Sequence, residues 1–571
     1  MNLIDWLVLV GTMVGIAAYG TWRTRHTDKL NTYLKGNAST GWATIGISVM
    51  ATQASTITYL SLPGQAYENG IAFIQNYFGL PLALILVAAV FLPIYRKLGV
   101  YTAYEYLGKR FDQKTRLLGA GLFLLQRGIQ AGITIYAPSI ILATVLGWRL
   151  DLTIIFTGLL AIVYTVTGGS AAVNLTQKWQ MAVIFGGMLT AFAILLYKLP
   201  PDATHIAGAL GKLEAVDYTP DLQRRYTIWS GLLGGFFLSL SYFGTDQSQV
   251  QRYIGGAALR EGRLGLMFNA VMKIPMQFVI VMLGALLFVF YQFQPSTPVI
   301  FNQTQWQRQV NGPQGEVFRE LEVRHATAHA AKQEKIRAWV AARDSGDDLA
   351  EAAARSEMLA AQEESNRIRQ EARTALQTAD PAAKKTRDSD YVFITFILTQ
   401  LPHGVIGLLI AVMFASALSS KAGELNALGT TSTIDLWRHF RPLVEHDEAR
   451  NVRNAKRFTA VWGIFAIAFA LFVSFAENLI EALNIVASIF YPALLGVFIV
   501  AFFIKYVRGT AVFWAAILTQ LAVIGIYAFG KIYPEHEIGY LWLNPIGCAL
   551  CVLFSVVLQA ALGDKPRAST S

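Results

Sequence analysis

The stretch ASALSSKAGELNA, residues 415–427, continues the apolar run 405–414 and then sets Ser419, Ser420, Lys421 and Glu424 within six positions. Such groups are costly in lipid unless something satisfies them. Two adjacent hydroxyls are oxygen donors for a hard cation, or they bond back to carbonyls one turn earlier. Lys421 and Glu424, at i,i+3, can pair on one helix face, as a structural brace or as an inner-gate latch. A second cluster, ISVMATQASTITYLSLPG, holds Thr52, Gln53, Ser55, Thr56 and Thr58 and ends at Pro63-Gly64. A helix interrupted there frees carbonyl oxygens that suit Na+. Hydroxyls that glue two helices together account for the same residues. Further along, FFLSLSYFGTDQSQVQRY brings Tyr242, Asp246 and Gln247 together. Arg127 and Gln130 lie almost a turn apart, and Lys273 stands two residues before Pro275. A lone cation near the end of a span snorkels to the interface, which is the simplest reading of Arg127 and Lys273.

Positioning these groups requires membrane helices. The chain has 571 residues, of which 54% are hydrophobic and 15% charged, too apolar for an ordinary soluble protein. Thirteen stretches are long and apolar enough to span: 4–21, 43–62, 71–95, 117–147, 152–168, 179–198, 228–243, 266–293, 391–420, 458–475, 479–504, 510–529 and 540–562. The first lacks a basic leader and a cleavage context, so it reads as a span and not a signal peptide. With the N-terminus outside, the inner loops carry 24 Lys and Arg and the short outer loops 6. The net charge of +10 therefore reports topology, and no nucleic-acid partner is expected. This reading places the chain in a bacterial inner membrane with a cytoplasmic C-terminus. Cys548 and Cys551, in an apolar span without nearby His, read as small core residues.

Residues 295–390 break the pattern with 14 basic and 15 acidic residues among many Ala and Glu. Two helices are predicted, near 316–343 and 347–378, folded back at DSGDD. Glu320–Arg324, Glu351–Arg355 and Glu363–Arg367 fall at i,i+4. Apolar positions look too few for a core of its own. By the charge count the hairpin lies outside, as a solvated insertion or as a docking arm for a periplasmic partner. The chain thus divides into 1–294, the insert 295–390, 391–562 and a cytoplasmic tail 563–571.

No Walker A, H-E-x-x-H or G-x-S-x-G context occurs, so neither nucleotide hydrolysis nor another enzyme activity is expected. Polar groups cluster near the membrane midplane instead of lining a continuous path, which favours a secondary transporter over a channel.

The stretches SVMATQASTITYLSLPG, IYAPSI, YTVTGGSAAVNLTQKWQM, YFGTDQSQVQRY, KIPMQF and FASALSSKAGELNALGTTSTIDLW follow one another in the order of a known pattern. Together they resemble the sodium/solute symporter family of sodium-coupled sugar, proline, sialic acid, iodide and monocarboxylate carriers. The resemblance covers nearly the whole chain except 295–390 and implies an all-α polytopic fold. Its core would be the five-plus-five inverted repeat of LeuT-type carriers behind one leading helix, with spans 2–6 and 7–11 as the repeats.

The resemblance also implies a sodium site built from the carbonyls of Ala51, Ala54 and Ser416 and the hydroxyls of Ser419 and Ser420. Relatives that bind a second sodium use an aspartate where this chain has Gln177 and hydroxyls where it has Ala422 and Gly423. One coupled sodium per cycle is therefore expected. The solute, a small sugar, sugar acid, amino acid or monocarboxylate, is placed among Gln53, Ser55, Thr58, Phe73, Gln75, Asn76, Gln130, Tyr242 and Asp246. Phe73 and Tyr242 are read as aromatic gates. Lys273 and Arg127 are further candidates: Lys273 matches a sugar-branch pocket lysine. Gln130 stands where the sialic acid branch has an arginine, whose bidentate grip on a carboxylate an amide cannot reproduce. The competing reading is a transporter-like receptor that acts through the 295–390 hairpin.

Overall fold

A computed structural model describes residues 1–23, 41–100, 102–254, 258–380, 387–440, 448–472 and 478–563, without the side chains of 16–23, 167–178 and 448. The side chain of Gln177, most of the first inner loop and residues 564–571 of the expected tail lie outside that description.

The fold is helical, and no strand occurs among the described residues. The elements that matter are α1 (Leu3–Arg23), α2 (Trp42–Gln53), α3 (Thr56–Asn69), α4 (Ile71–Leu98, of mixed helical turns), α5 (Gln113–Leu146), α6 (Leu150–Lys198), α7 (Gly235–Thr245), α8 (Gln247–Ile254) and α9 (Leu259–Phe293). They are followed by α10 (Gly315–Ser345), α11 (Asp348–Ala379), α12 (Val405–Thr431), α13 (Glu448–Phe472), α14 (Leu479–Phe503), α15 (Gly509–Ile532) and α16 (Leu543–Leu562). Among the described residues, nine helices are long and apolar enough to cross a membrane, and Leu3–Gly15 and Leu150–Val166 are shorter apolar ones. α12 is central: it packs against α1, α5, α6 and α13.

Several boundaries differ from the sequence reading. The stretches 152–168 and 179–198 belong to one unbroken helical element, α6. The expected span 391–420 is two helices, Val392–Gln400 and α12. Between them LPHG turns the chain, and Gly404 takes φ +87, a backbone conformation costly for any residue with a Cβ. Buried Asp5 of α1 holds this turn: it accepts from Gly404 N at 2.6 Å and contacts His403 Nδ1 at 2.9 Å. A tertiary partner thus ends one helix and starts the next.

Pro63-Gly64 does not end the second span. α3 runs through both residues to Asn69, and the break falls nine residues before Pro63, at Ala54–Ser55. Gly64 instead lets the segment around Ser389 approach, because a Cβ there would collide with the Ser389 carbonyl.

The hairpin helices lie close to their predicted limits. Asp347 caps α11 by accepting from Leu349 N at 3.0 Å and Ala350 N at 3.1 Å. The expectation of too few apolar residues is corrected: Val299, Ile300, Trp306, Phe318, Leu321, Ala372 and Leu376 form a small core of the insert's own. The unpredicted helix Gln303–Val310 supplies Trp306 to it. The ion pairs also differ, running between the helices, Arg324–Glu371 at 2.8 Å and Lys335–Glu357 at 2.7 Å, or at i,i+3 for Arg367–Glu364. All three are solvent-exposed and stabilise little. Arg308 donates to Gly147 O, Arg343 pairs with Asp202 and Arg373 with Glu68, so the insert sits on the end of the bundle where α3 and α5 finish.

Candidate functional site

Two helices are interrupted near a central cavity, the first break in its lining and the second just beyond the lining residues Tyr242 and Phe243. At the first, Ala54 leaves helical geometry (φ −83, ψ 56) and Ser55 is extended (φ −73, ψ 172). Neither Pro nor Gly marks this place. Contacts with α12 account for it: Thr56 Oγ1 donates to Met413 O at 2.5 Å, and Ser420 Oγ to Ala51 O at 3.3 Å. The break removes the in-helix donors of the preceding carbonyls; Gln53 O accepts instead from Thr58 Oγ1 at 2.9 Å. At the second, Asp246 is extended (φ −79, ψ 119) between α7 and α8.

Beside the first break, Ser419 Oγ donates to Ser416 O at 3.0 Å and to Gln180 Oε1 at 2.8 Å. Ser420 thus ties α12 to the Ala51 carbonyl of α2, while the adjacent Ser419 bonds back to Ser416 O and faces Gln180 of α6. These are neutral oxygen donors, the chemistry that suits Na+. Gln180 was not anticipated, although it lies one helical turn after Gln177, the residue singled out in the sequence.

The cavity has a volume of about 130 Å³, and its lining includes Gln53, Ser55, Thr58, Asn76, Gln130 and Tyr242 from the expected solute set, together with Arg127 and Lys273. Gln53 Nε2 and Asn76 Oδ1 are buried with no hydrogen-bond partner among the described residues. Gln130 Nε2 donates to Leu483 O at 3.0 Å. Three expected residues are not in the lining. Phe73 is buried against Tyr77 and Tyr226, so it is a packing residue and not a gate in this conformation. Gln75 is occupied structurally: Nε2 donates to Tyr226 O at 3.1 Å, and Oε1 accepts from Asp217 N at 3.1 Å. Asp246 lies behind the lining, where it binds Arg127.

Arg127 does not snorkel. Its guanidinium binds Asp246, reaches Glu424 Oε1 at 3.4 Å and donates to Tyr491 OH at 3.1 Å. Tyr491 OH in turn donates to Asp246 Oδ2 at 2.6 Å, and Ser248 N and Oγ donate to Asp246 Oδ1 at 2.8 and 2.6 Å. Lys421 pairs with Glu424 at 3.3 Å, as the spacing predicted, and also donates to Ala131 O and Thr134 Oγ1 of α5. Thr134 Oγ1 donates to Glu424 Oε2 at 2.9 Å. Two cations and two carboxylates thus close a neutral quartet that joins α5, the α7–α8 junction and α12, with Tyr491 of α14 bridging Arg127 and Asp246. Arg127, Glu424 and Tyr491 are themselves part of the cavity lining. Lys273 does not snorkel either: it is 1% exposed and lies over the Tyr77 ring at 5.5 Å. Tyr491 and Glu424 were missed as cavity residues. For Glu424 the spacing to Lys421 was visible, whereas nothing local distinguishes Tyr491 from other aromatic residues of an apolar span.

A helical membrane protein with two interrupted helices around a buried polar cavity has the architecture of a secondary transporter. The model of the sodium:solute symporter family matches residues 33–304 and 369–519, and the chain belongs to that family, one of transporters and not enzymes. The unmatched gap contains most of the hairpin. The chain is similar to the sodium/sialic acid symporter SiaT of Proteus mirabilis (strain HI4320), 24% identical over 577 residues, 99% of this chain and 98% of that protein. It is 30% identical over 284 residues to the human sodium/iodide cotransporter, covering 49% of this chain and 43% of that protein. To the human sodium-coupled monocarboxylate transporter 1 it is 31% identical over 274 residues, covering 47% and 45%. The chain therefore spans less than half the length of these two human relatives. Its fold is shared with a sodium-coupled sialic acid symporter solved in a substrate-bound outward-open state, at a TM-score of 0.72 and 22% identity over 99% of this chain and 98% of that one.

Proposed function

We propose that this chain is a sodium-coupled symporter that imports a small organic solute by alternating access, with one Na+ per cycle. The observation that carries the reading is the oxygen cluster of Ala51, Ser416, Ser419 and Ser420 at a helix break beside a polar cavity. Na+ seated there would replace the Ser420–Ala51 hydrogen bond and bridge α2 to α12. It would be drawn inward by roughly 2.3 kcal/mol per charge per 100 mV of membrane potential. The solute binds among Gln53, Ser55, Thr58, Asn76, Gln130 and Tyr242, next to the same break, so each ligand tightens the other by the same factor. Alternating access requires the quartet to part, because it ties α5, the α7–α8 junction and α12 together at the cavity wall. The membrane is read as a bacterial inner membrane, with the N-terminus and the hairpin outside.

The single-sodium reading has local support. Ala422 and Gly423 follow the serine pair without hydroxyls, and the Arg252 guanidinium occupies the space that a Cβ at Gly423 would need. A cation fixed there repels a second Na+. Reconstituted into proteoliposomes and screened with sugars, sugar acids, amino acids and monocarboxylates, the protein should accumulate one class only under an inward Na+ gradient. Absence of any Na+-dependent uptake overturns the symport reading, and a 2:1 flux ratio overturns its stoichiometry. Deletion of 315–379 should leave that uptake in place; its loss from a folded variant would favour the receptor-like role of the hairpin.

A further inference from the structure

A second cavity, of about 300 Å³, lies between the hairpin and the ends of α3 and α9 and shares no lining residue with the first. Its wall is unusually cationic. Lys212, Lys332, Arg369 and Arg373 line it against two carboxylates, Glu68 and Asp388. The carboxylates are already engaged: Arg373 pairs with Glu68 at 3.2 Å and Arg369 with Asp388 at 3.3 Å. Arg369 also donates to Tyr67 OH at 2.8 Å, and Lys212 to Glu68 O at 2.5 Å. Among the described residues, Lys212 and Lys332 are left without a carboxylate of their own, and Lys332 lacks even a carbonyl partner. It is 4% exposed, and its only partner among the described residues is Ser365 Oγ at 3.1 Å.

An unpaired buried ammonium is expensive. Burial and the neighbouring Arg369 push Lys332 down to about 7, and burial pushes the adjacent His325 and His329 down to about 3 and about 4. The histidines therefore stay neutral at physiological pH and do not add to the charge. Orphaned polar atoms converge on the same space. Tyr291 Oη, His329 Nδ1 and Ser389 Oγ are buried without a hydrogen-bond partner among the described residues. Buried polar atoms without partners are uncommon, and several around one charged cavity call for a common ligand.

We propose that this cavity binds a small oxyanion, a carboxylate or a phosphate, with Lys332 as its counter-charge and Tyr291 as a neutral donor. The oxyanion offsets the excess positive charge of the wall and fastens α10 and α11 of the hairpin to α3 and α9. The proposal does not depend on which solute occupies the central cavity.

The test uses the full-length protein in lipid nanodiscs, titrated calorimetrically with sodium phosphate and separately with sodium acetate, each against sodium chloride at matched Na+. Saturable binding of at least one oxyanion above chloride is expected, and the arm that responds identifies the group. Lys332→Met should weaken that binding about tenfold or more, as removal of a charged hydrogen-bond donor does. Lys332→Arg should retain it within a few-fold. Lys332→Gln, which keeps a polar group facing Ser365, replaces the Met variant if that one does not fold. Binding of neither oxyanion to the native chain, or native affinity in the charge-removed variant, overturns the proposal.

Discussion

Alanine at Ser420 raises the Na+ concentration for half-maximal uptake by about tenfold or more, and alanine at Ser419 does the same. Each substitution removes one oxygen from a cluster in which the ion has no carboxylate to fall back on. Interactions with a charged partner contribute about 1.5–3 kcal/mol, and each 1.4 kcal/mol is a factor of ten in affinity. In the ion-free state the losses are smaller, because Ser420–Ala51 and Ser419–Gln180 are neutral hydrogen bonds at 3.3 and 2.8 Å. That difference separates a ligand from a structural serine: the ligand variants fold normally and change sodium dependence, with maximal uptake recovered at high Na+. Sodium titrations of uptake in both variants provide the measurement. Native half-saturation in both would remove the cluster from the coupling mechanism.

Loss of one member of the quartet is the second large effect. Asp246→Asn leaves Arg127, Lys421 and Glu424 with a net positive charge inside the bundle. Breaking a buried ion pair by removing one partner costs about 3–5 kcal/mol, because the other charge stays desolvated. Thermal unfolding in detergent should therefore show a marked destabilisation of Asp246→Asn and of Arg127→Met. The double variant Arg127→Met/Asp246→Asn keeps Lys421 paired with Glu424 and should recover most of the loss. A double variant no more stable than either single one refutes the charge-balance argument. If the quartet also holds the cavity wall closed, the recovered double variant will bind solute while its Na+ dependence of uptake is altered.

The helical class, the membrane setting and the family resemblance were legible in the chain because they rest on local properties. Apolar runs of lipid-spanning length, the hydroxyl-rich stretch around Ser55 and the Ser419–Ser420 pair survive in any arrangement of the helices. So do the charged insert and its turn at DSGDD, where local helix propensity and capping set the limits of α10 and α11.

Tertiary structure decided the rest, since it depends on groups distant in sequence. The second span breaks at Ala54–Ser55, and not at Pro63-Gly64, because α12 supplies alternative partners for its backbone there and the packed bundle tolerates the proline. Arg127 in its own span has no visible counter-ion and predicts a snorkelling side chain, because Asp246 stands 119 positions away. Phe73 and Gln75 share a turn with Asn76, yet only Asn76 reaches the central cavity. Asp246, expected at the solute, is turned to Arg127 by the second break. The hairpin's core needed Trp306 from outside its two helices. Hydrophobicity and propensity act over a few residues and are written into the chain; the pairing of buried charges is settled only when the helices meet.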